Sequence, residues 1–125
     1  MFNHISIGVR SIPNSKRFYD AALGAIGYRC LSEDAAYLGY GADQPYFWMY
    51  KSEHPVAEDA GSGLHFCLNA PTTASVRKFH AEGLKQGGRD NGAPGVRPDY
   101  SADYYAAFLI DPDGYRIEAY CRGKE

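Results

Sequence analysis

Displacing the sequence by 61 positions brings its second half onto its first: His4 falls on His65, Lys16-Arg17 on Arg77-Lys78, Phe18 on Phe79, Leu23 on Leu84 and Gly27 on Gly88, in one ungapped register. Agreement in the same order, with a residue as rare as histidine among the matches, marks an internal duplication. A repeated unit this short cannot bury its apolar face alone and packs against its copy. The duplication therefore limits the chain to folds made of two similar halves.

The pattern inside each half says what the unit is. In residues 2–9 the side chains Phe2, His4, Ser6 and Gly8 alternate with Asn3, Ile5, Ile7 and Val9, the period of a strand with one aliphatic face. Residues 15–27 then carry Phe18, Ala22 and Ile26 at helical spacing, with Ser11 or Asn14 as N-cap, Pro13 near the first turn and a stop at Gly27. Three short strands follow at 28–31, 35–40 and 46–51. The second half repeats the order, with a strand at 64–69 and a helix over 71–87 opening at Thr72 or Thr73. Next comes a Gly- and Pro-rich loop over 89–103 of the kind that serves as a lid or binding segment. A hairpin closes the chain: 106–110, the turn Asp111-Pro112-Asp113-Gly114, and 115–121. The expected class is α+β, with two tandem βαβββ modules forming a curved mixed sheet around a cleft. Module one covers about residues 1–53, a polar connection about 54–63 and module two about 64–122 of a single domain.

Composition excludes several functions. The thirteen Lys and Arg are scattered and the net charge is -2, so no nucleic-acid surface is expected. No apolar stretch approaches the ~18 residues of a membrane span. The strand pattern starts at once, which leaves no room for a signal peptide and gives a cytoplasmic address. Cys30, Cys67 and Cys121 form neither a CxxC pair nor an even set and read as buried free thiols. Eleven Tyr, six Phe and one Trp exceed what a chain of 125 residues ordinarily carries, and they suit either a sheet core or the lining of a pocket for a partly polar molecule. His54, in the connection, and His80, on the second helix, read as exposed.

The chemistry concentrates at three positions. On the last strand Arg116, Glu118 and Tyr120 share one face and Ile117, Ala119 and Cys121 the other, so Glu118 sits mid-strand, where a carboxylate needs a cation, a metal or a hydrogen-bond network. His4 and His65 occupy matching places in the two modules. Two imidazoles and a carboxylate make the ligand set of a divalent metal (Fe, Mn, Zn or Ni), with open positions left for substrate. No nucleophile elbow, P-loop or dinucleotide fingerprint competes with this reading.

The segments NHISIGV, RFYDAALGAIGY, GLHFCLN and AAFLIDPDGYRIEAYC together resemble the vicinal oxygen chelate superfamily, which contains glyoxalase I, extradiol dioxygenases, fosfomycin resistance transferases and bleomycin resistance proteins. Within it the chain is most similar to small glyoxalase-like bacterial proteins. The resemblance places His4, His65 and Glu118 on metal-ligand positions and implies a homodimer with a small-molecule substrate. It also implies a metal-dependent lyase or dioxygenase that stabilises an enolate, catecholate or oxyanion. The pocket walls implied are Trp48, Tyr50, Tyr100, Tyr104 and Tyr105, with Arg97 or Arg116 for an anionic group. Glyoxalase I-like members carry a fourth ligand, a glutamate, on the last strand of module one; here that strand reads YFWMYK and offers no carboxylate, against true glyoxalase I activity. Two alternatives stand beside the enzyme: a metal-free binding or drug-sequestering protein of the bleomycin resistance type, and a fosfomycin-resistance-like transferase.

Overall fold

The computed structural model describes residues 1–55 and 60–123. Module one runs β1 (Ile5–Val9), α1 (Ile12–Gly24), β2 (Arg29–Glu33), β3 (Tyr37–Gly41) and β4 (Pro45–Lys51). After a 3-10 turn at Ala60–Ser62, module two runs β5 (His65–Asn69), α2 (Thr73–Lys85), β6 (Arg89–Val96), β7 (Tyr104–Ile110) and β8 (Arg116–Arg122). Each module builds its own four-stranded sheet, in the orders β1-β4-β3-β2 and β5-β8-β7-β6. The first strand of each lies parallel to the last, and the other neighbours are antiparallel. Among the described residues no helix is long and apolar enough to cross a membrane.

The duplication is visible in the geometry. Shifting Ile12–Gly24 by 61 gives Thr73–Lys85, the span of α2. Both helices open on a hydroxyl cap: the Ser11 side chain accepts from the Asn14 N–H, and Thr72 from that of Ser75. Ser11 starts α1 earlier than residue 15 because a proline at the first turn interrupts no hydrogen bond. Both helices end on a left-handed glycine, Gly27 and Gly87, each with φ 96°. The next N–H reaches back five residues, Tyr28 to the Leu23 carbonyl and Gly88 to that of Gly83. The repeat thus slips by one residue at the helix end. Leu84, matched in sequence with the buried Leu23, is 40% exposed.

The helices pack against each other and on one face of each sheet. Phe18, Tyr19, Ala22, Val76 and Phe79 lose all contact with solvent. At the crossing Gly83 meets Ala22, its counterpart under the 61-residue shift; a Cβ on Gly83 would stand 3.5 Å from that of Ala22 and 2.4 Å from Leu109 Cδ1. Contact between equivalent residues puts the crossing on the pseudo-twofold axis. The hairpin turn ties the modules together. Asp111 accepts from the Tyr19 hydroxyl of α1 at 2.5 Å, Asp113 from the Arg10 N–H at 3.0 Å, and Tyr115 donates to the Gly8 carbonyl at 2.8 Å.

Two expectations change. The Gly- and Pro-rich 89–103 stretch is not a free loop: residues 89–96 form the edge strand β6, with register shifts on either side of Gly92. Glycine and proline at bulges of an edge strand conceal the alternation that sequence reading depends on. His80 is not exposed; its side chain is 12% accessible, and Nε2 lies 2.8 Å from Asp90 Oδ1 on β6.

Candidate active site

The helices cover one face of each sheet, and chemistry collects on the opposite face of module two. Alternation along β8 buries Ile117, Ala119 and Cys121 beneath the helices and turns Arg116, Glu118 and Tyr120 to the other side. On the neighbouring β5, Phe66 and Leu68 pack inward while His65 and Cys67 share the face with Glu118. The parallel register sets Cys67 beside Glu118 and His65 beside Arg116.

His65 Nε2 lies 3.0 Å from Glu118 Oε1, and the Tyr104 hydroxyl donates to Glu118 Oε2 at 2.5 Å. Glu118 is 2% exposed, so both carboxylate oxygens are held in a nearly dry setting, whereas the His65 side chain is 46% exposed and faces outward. Cys67 Sγ approaches the same phenol at 3.9 Å. Burial, with the Glu118 charge, pushes the Cys67 thiol up to about 11, so it is protonated at neutral pH and is no thiolate nucleophile. Burial and the hydrogen bond to Glu118 raise the Tyr104 phenol as well, keeping it a donor.

Beside the pair lies an open hollow of about 250 Å³, lined by Gly63, His65, Asn91, Tyr100, Phe108 and Arg116. Tyr100 leans edge-on against Tyr104, ring centroids 4.8 Å apart, and Tyr104 in turn lies 4.2 Å from Tyr120. Two expected wall residues, Tyr100 and Arg116, line this hollow, and Tyr104 holds the carboxylate beneath it. Arg97 donates to the Gly95 and Ala93 carbonyls of β6 and lies 5.2 Å from the Phe108 ring centroid, bracing the hollow from outside. Tyr105 faces the opposite way. It is 1% exposed in the core, and its hydroxyl accepts from Arg77, so it is no wall residue; strand alternation excludes it once Tyr104 is on the site face.

Trp48 and Tyr50 belong to module one. With Tyr37 they form an aromatic platform on the sheet face away from the helices, Trp48 and Tyr50 nearly parallel at 21° with centroids 6.2 Å apart. Trp48 pairs with Ser6 as Glu118 pairs with Cys67, so the indole stands in module one where Glu118 stands in module two. His4 precedes β1, its Nδ1 2.7 Å from Asn3 Oδ1, and borders a separate hollow with Phe2, Ile5 and Phe66. It does not join the pair. Among the described residues no three His, Cys, Asp or Glu side chains converge on one point.

As donors, an imidazole nitrogen and a carboxylate oxygen 3.0 Å apart fit two ligand positions of a divalent cation. The third position is not filled within the described chain. Sequence reasoning missed Phe108 and Cys67 on this face. Both were readable by parity, Cys67 two residues from His65 and Phe108 four from Tyr104.

Two βαβββ modules about a pseudo-twofold axis, with a His–Glu pair on an open sheet face, define a glyoxalase-type fold. The Glyoxalase/Bleomycin resistance protein/Dioxygenase superfamily model matches residues 1–119, and the chain belongs to that superfamily. A glyoxalase/bleomycin resistance protein from Albidiferax ferrireducens T118 is 31% identical over 98% of both chains, with a TM-score of 0.82. A glyoxalase-related enzyme from Fulvimarina pelagi shares the fold at 14% identity and TM-score 0.74, over 96% of this chain and 86% of its own. A V278E glyoxalase I mutant from Zea mays does so at 18% identity and TM-score 0.66, over 94% of this chain and 44% of its own. No curated protein sequence matches the chain.

Proposed function

We propose that this protein is a divalent-metal-dependent enzyme acting on a small molecule with two adjacent oxygens. It works as a homodimer in which His4 of a second copy joins His65 and Glu118. The observation that carries the reading is the 3.0 Å approach of His65 Nε2 to a Glu118 carboxylate that is itself 2% exposed. Two features support the second copy. His4 stands at the end of an edge strand away from the pair, and β1 and β5 are both edges of their sheets. Phe2 beside it is 76% exposed.

A metal bound there supplies Lewis acidity toward the two substrate oxygens. The chain's own groups do the rest. Tyr104 fixes the orientation of the Glu118 carboxylate, and Phe108 and Tyr100 give the hollow aromatic walls. With Trp48 in the place of the fourth ligand, module one provides no glutamate base, which favours dioxygenase-like over glyoxalase I chemistry. A metal-free sequestering protein is favoured by one feature, the contiguous Tyr37, Trp48 and Tyr50 platform.

Anaerobic reconstitution with Fe(II), Mn(II), Zn(II) or Ni(II), followed by metal analysis, tests the reading. Wild type is expected to bind and His65→Ala and Glu118→Gln to lose the metal. Mixing His4→Ala with His65→Ala chains restores one site in each mixed dimer, about a quarter of all sites in an equimolar mixture, if the ligands come from two copies, and none if they come from one. Wild type that takes up no divalent metal sinks the enzyme reading. A panel of catechols, 2-oxoaldehyde hemithioacetals and fosfomycin then separates the reaction types.

A further inference from the structure

A pocket of about 140 Å³ lies at the seam between the modules and shares no wall residue with the hollow beside His65. Module one supplies Leu23 at the end of α1, Tyr28 beyond it, Tyr40 on β3, and Tyr46 and Phe47 on β4; module two supplies Leu68 on β5. Among the described residues none of its walls is acidic, basic or a thiol. The phenol hydroxyls are already engaged. Tyr28 donates to the Asn69 carbonyl at 3.0 Å and Tyr40 to Asp20 Oδ1 at 2.8 Å, while Tyr46 accepts from Gln44 Nε2 at 2.9 Å. The Asp20 charge behind Tyr40 is matched by Lys16, whose Nζ lies 3.1 Å from the other carboxylate oxygen. Water in a space walled by rings and aliphatic branches finds few partners, so an apolar group that displaces it gains affinity.

The walls are set before any ligand arrives. Leu23 and Tyr40 are each 1% exposed, and the Phe47 ring stands 5.6 Å from that of Tyr19 and 5.7 Å from that of Phe66. Gly41 fixes the turn between β3 and β4 at the pocket's edge, since a Cβ there would lie 1.8 Å from the Gln44 carbonyl oxygen. Tyr46, 42% exposed, marks the mouth.

We propose that this seam is a small-molecule site separate from the His65–Glu118 centre, and that it takes one neutral arene of benzene size. Apolar cavities of ~150 Å³ accept benzene, whereas drug-sized ligands need ~300–1,000 Å³. A charged substituent would shed its hydration against walls that offer it no ionic partner. Because Leu23 and Leu68 belong to different modules, a ring between them joins the modules where the Tyr28–Asn69 hydrogen bond already crosses, and its binding stabilises the folded chain.

Calorimetric titration of the full-length protein with toluene, and with benzylammonium as the same ring carrying a charge, tests this. NOEs from toluene to protein protons locate the ligand. Wild type is expected to bind toluene about tenfold or more tightly than benzylammonium, with NOEs to the methyl groups of both Leu23 and Leu68 and a raised thermal midpoint. Leu68→Trp, which fills the pocket from a half-buried position, is expected to weaken toluene about tenfold or more, while His65→Ala binds it as wild type does. Amide spectra establish that each variant is folded, and the wild-type NOEs decide the location without them. Absence of toluene binding in wild type, benzylammonium bound as tightly, NOEs confined to Ile5 and Phe66 of the adjoining hollow, or loss of toluene in His65→Ala overturns the proposal. The adjoining hollow bordered by His4 shares Tyr46, Phe47 and Leu68, so a second copy could seat there instead. Wild type that takes up no toluene, with Leu68→Trp sedimenting as a smaller species, assigns the pocket to that copy and likewise overturns the proposal.

Discussion

Asp111 offers the sharpest physical test, because three hydrogen bonds and a desolvation penalty compete at one carboxylate. Oδ1 accepts the N–H groups of Asp113 and Tyr115, Oδ2 accepts the Tyr19 hydroxyl, and the residue is 1% exposed. Hydrogen bonds favour the charged form, while burial and the nearby Asp113 charge disfavour it. Burial dominates, lifting the group from 3.8 to about 6. A carboxyl that is more basic folded than unfolded stabilises the fold fully only well below its unfolded value of 3.8, where both states carry the proton. That stability is lost as pH rises toward 6, since the unfolded chain ionises first. The difference of about two units corresponds to ~3 kcal/mol across the window. Asp111→Asn keeps an acceptor for both N–H groups and offers Tyr19 a donor, and it cannot ionise. Urea unfolding of both proteins between pH 4 and 8 isolates the effect, because the other titrating groups cancel in the difference. Wild type is expected to lose ~2 kcal/mol relative to Asp111→Asn between pH 4 and 6 and to run parallel above about pH 7. A wild type that instead gains stability over that window relative to Asp111→Asn would show that the three hydrogen bonds outweigh burial and would refute the reasoning.

Three further substitutions probe the crossing and the site. Gly83→Ala drives a methyl against Leu109 and Phe18 at the helix crossing and is expected to cost ~1–3 kcal/mol, read as a shifted urea midpoint with the slope unchanged. Phe79→Ala, at a side chain with no solvent exposure, is expected to cost ~3–5 kcal/mol; a loss near 1 would mean that the module interface collapses into the gap. Tyr104→Phe leaves Glu118 Oε2 without its donor and is expected to cost ~1–3 kcal/mol of stability in the metal-free protein, by thermal unfolding.

The fold was legible because two independent periodicities agreed. Helical spacing marked Phe18 and Phe79, strand alternation marked Ile117 and Ala119, and the repeat placed both in one frame. Glu118 was legible for the same reason: it interrupts an apolar run at a position that alternation turns away from the core. β6 was not, because Gly92 and Pro94 produce bulges that erase period two. The relation of His4 to the pair was illegible for a different reason. Sequence periodicity fixes which face a side chain takes within its own sheet, but how two sheets are set against each other depends on contacts such as Tyr19 with Asp111 and Ala22 with Gly83, residues far apart in the chain.

Side chains paired across the strands show why the halves of a duplicated unit no longer share a chemistry. Across three strands of module two, Cys67, Glu118 and Phe108 stand in one row; in module one the same row reads Ser6, Trp48 and Gly39. The differences are coupled. The indole of Trp48 lies over bare Gly39 backbone, where any Cβ would come within 2.6 Å of the ring, while Glu118 stands beside the bulky Phe108 with Tyr104 to hold its charge. Each row is filled: one by a large ring beside no side chain, the other by a large ring beside a carboxylate. A carboxylate at position 48 alone would leave the space over Gly39 unfilled, where the indole now lies edge-on to the Tyr37 ring. The absence of a fourth ligand is therefore a property of a whole row of module one, beyond the identity of one residue. Under the function proposed above, the one carboxylate ligand then comes from module two, where Glu118 lies beside His65.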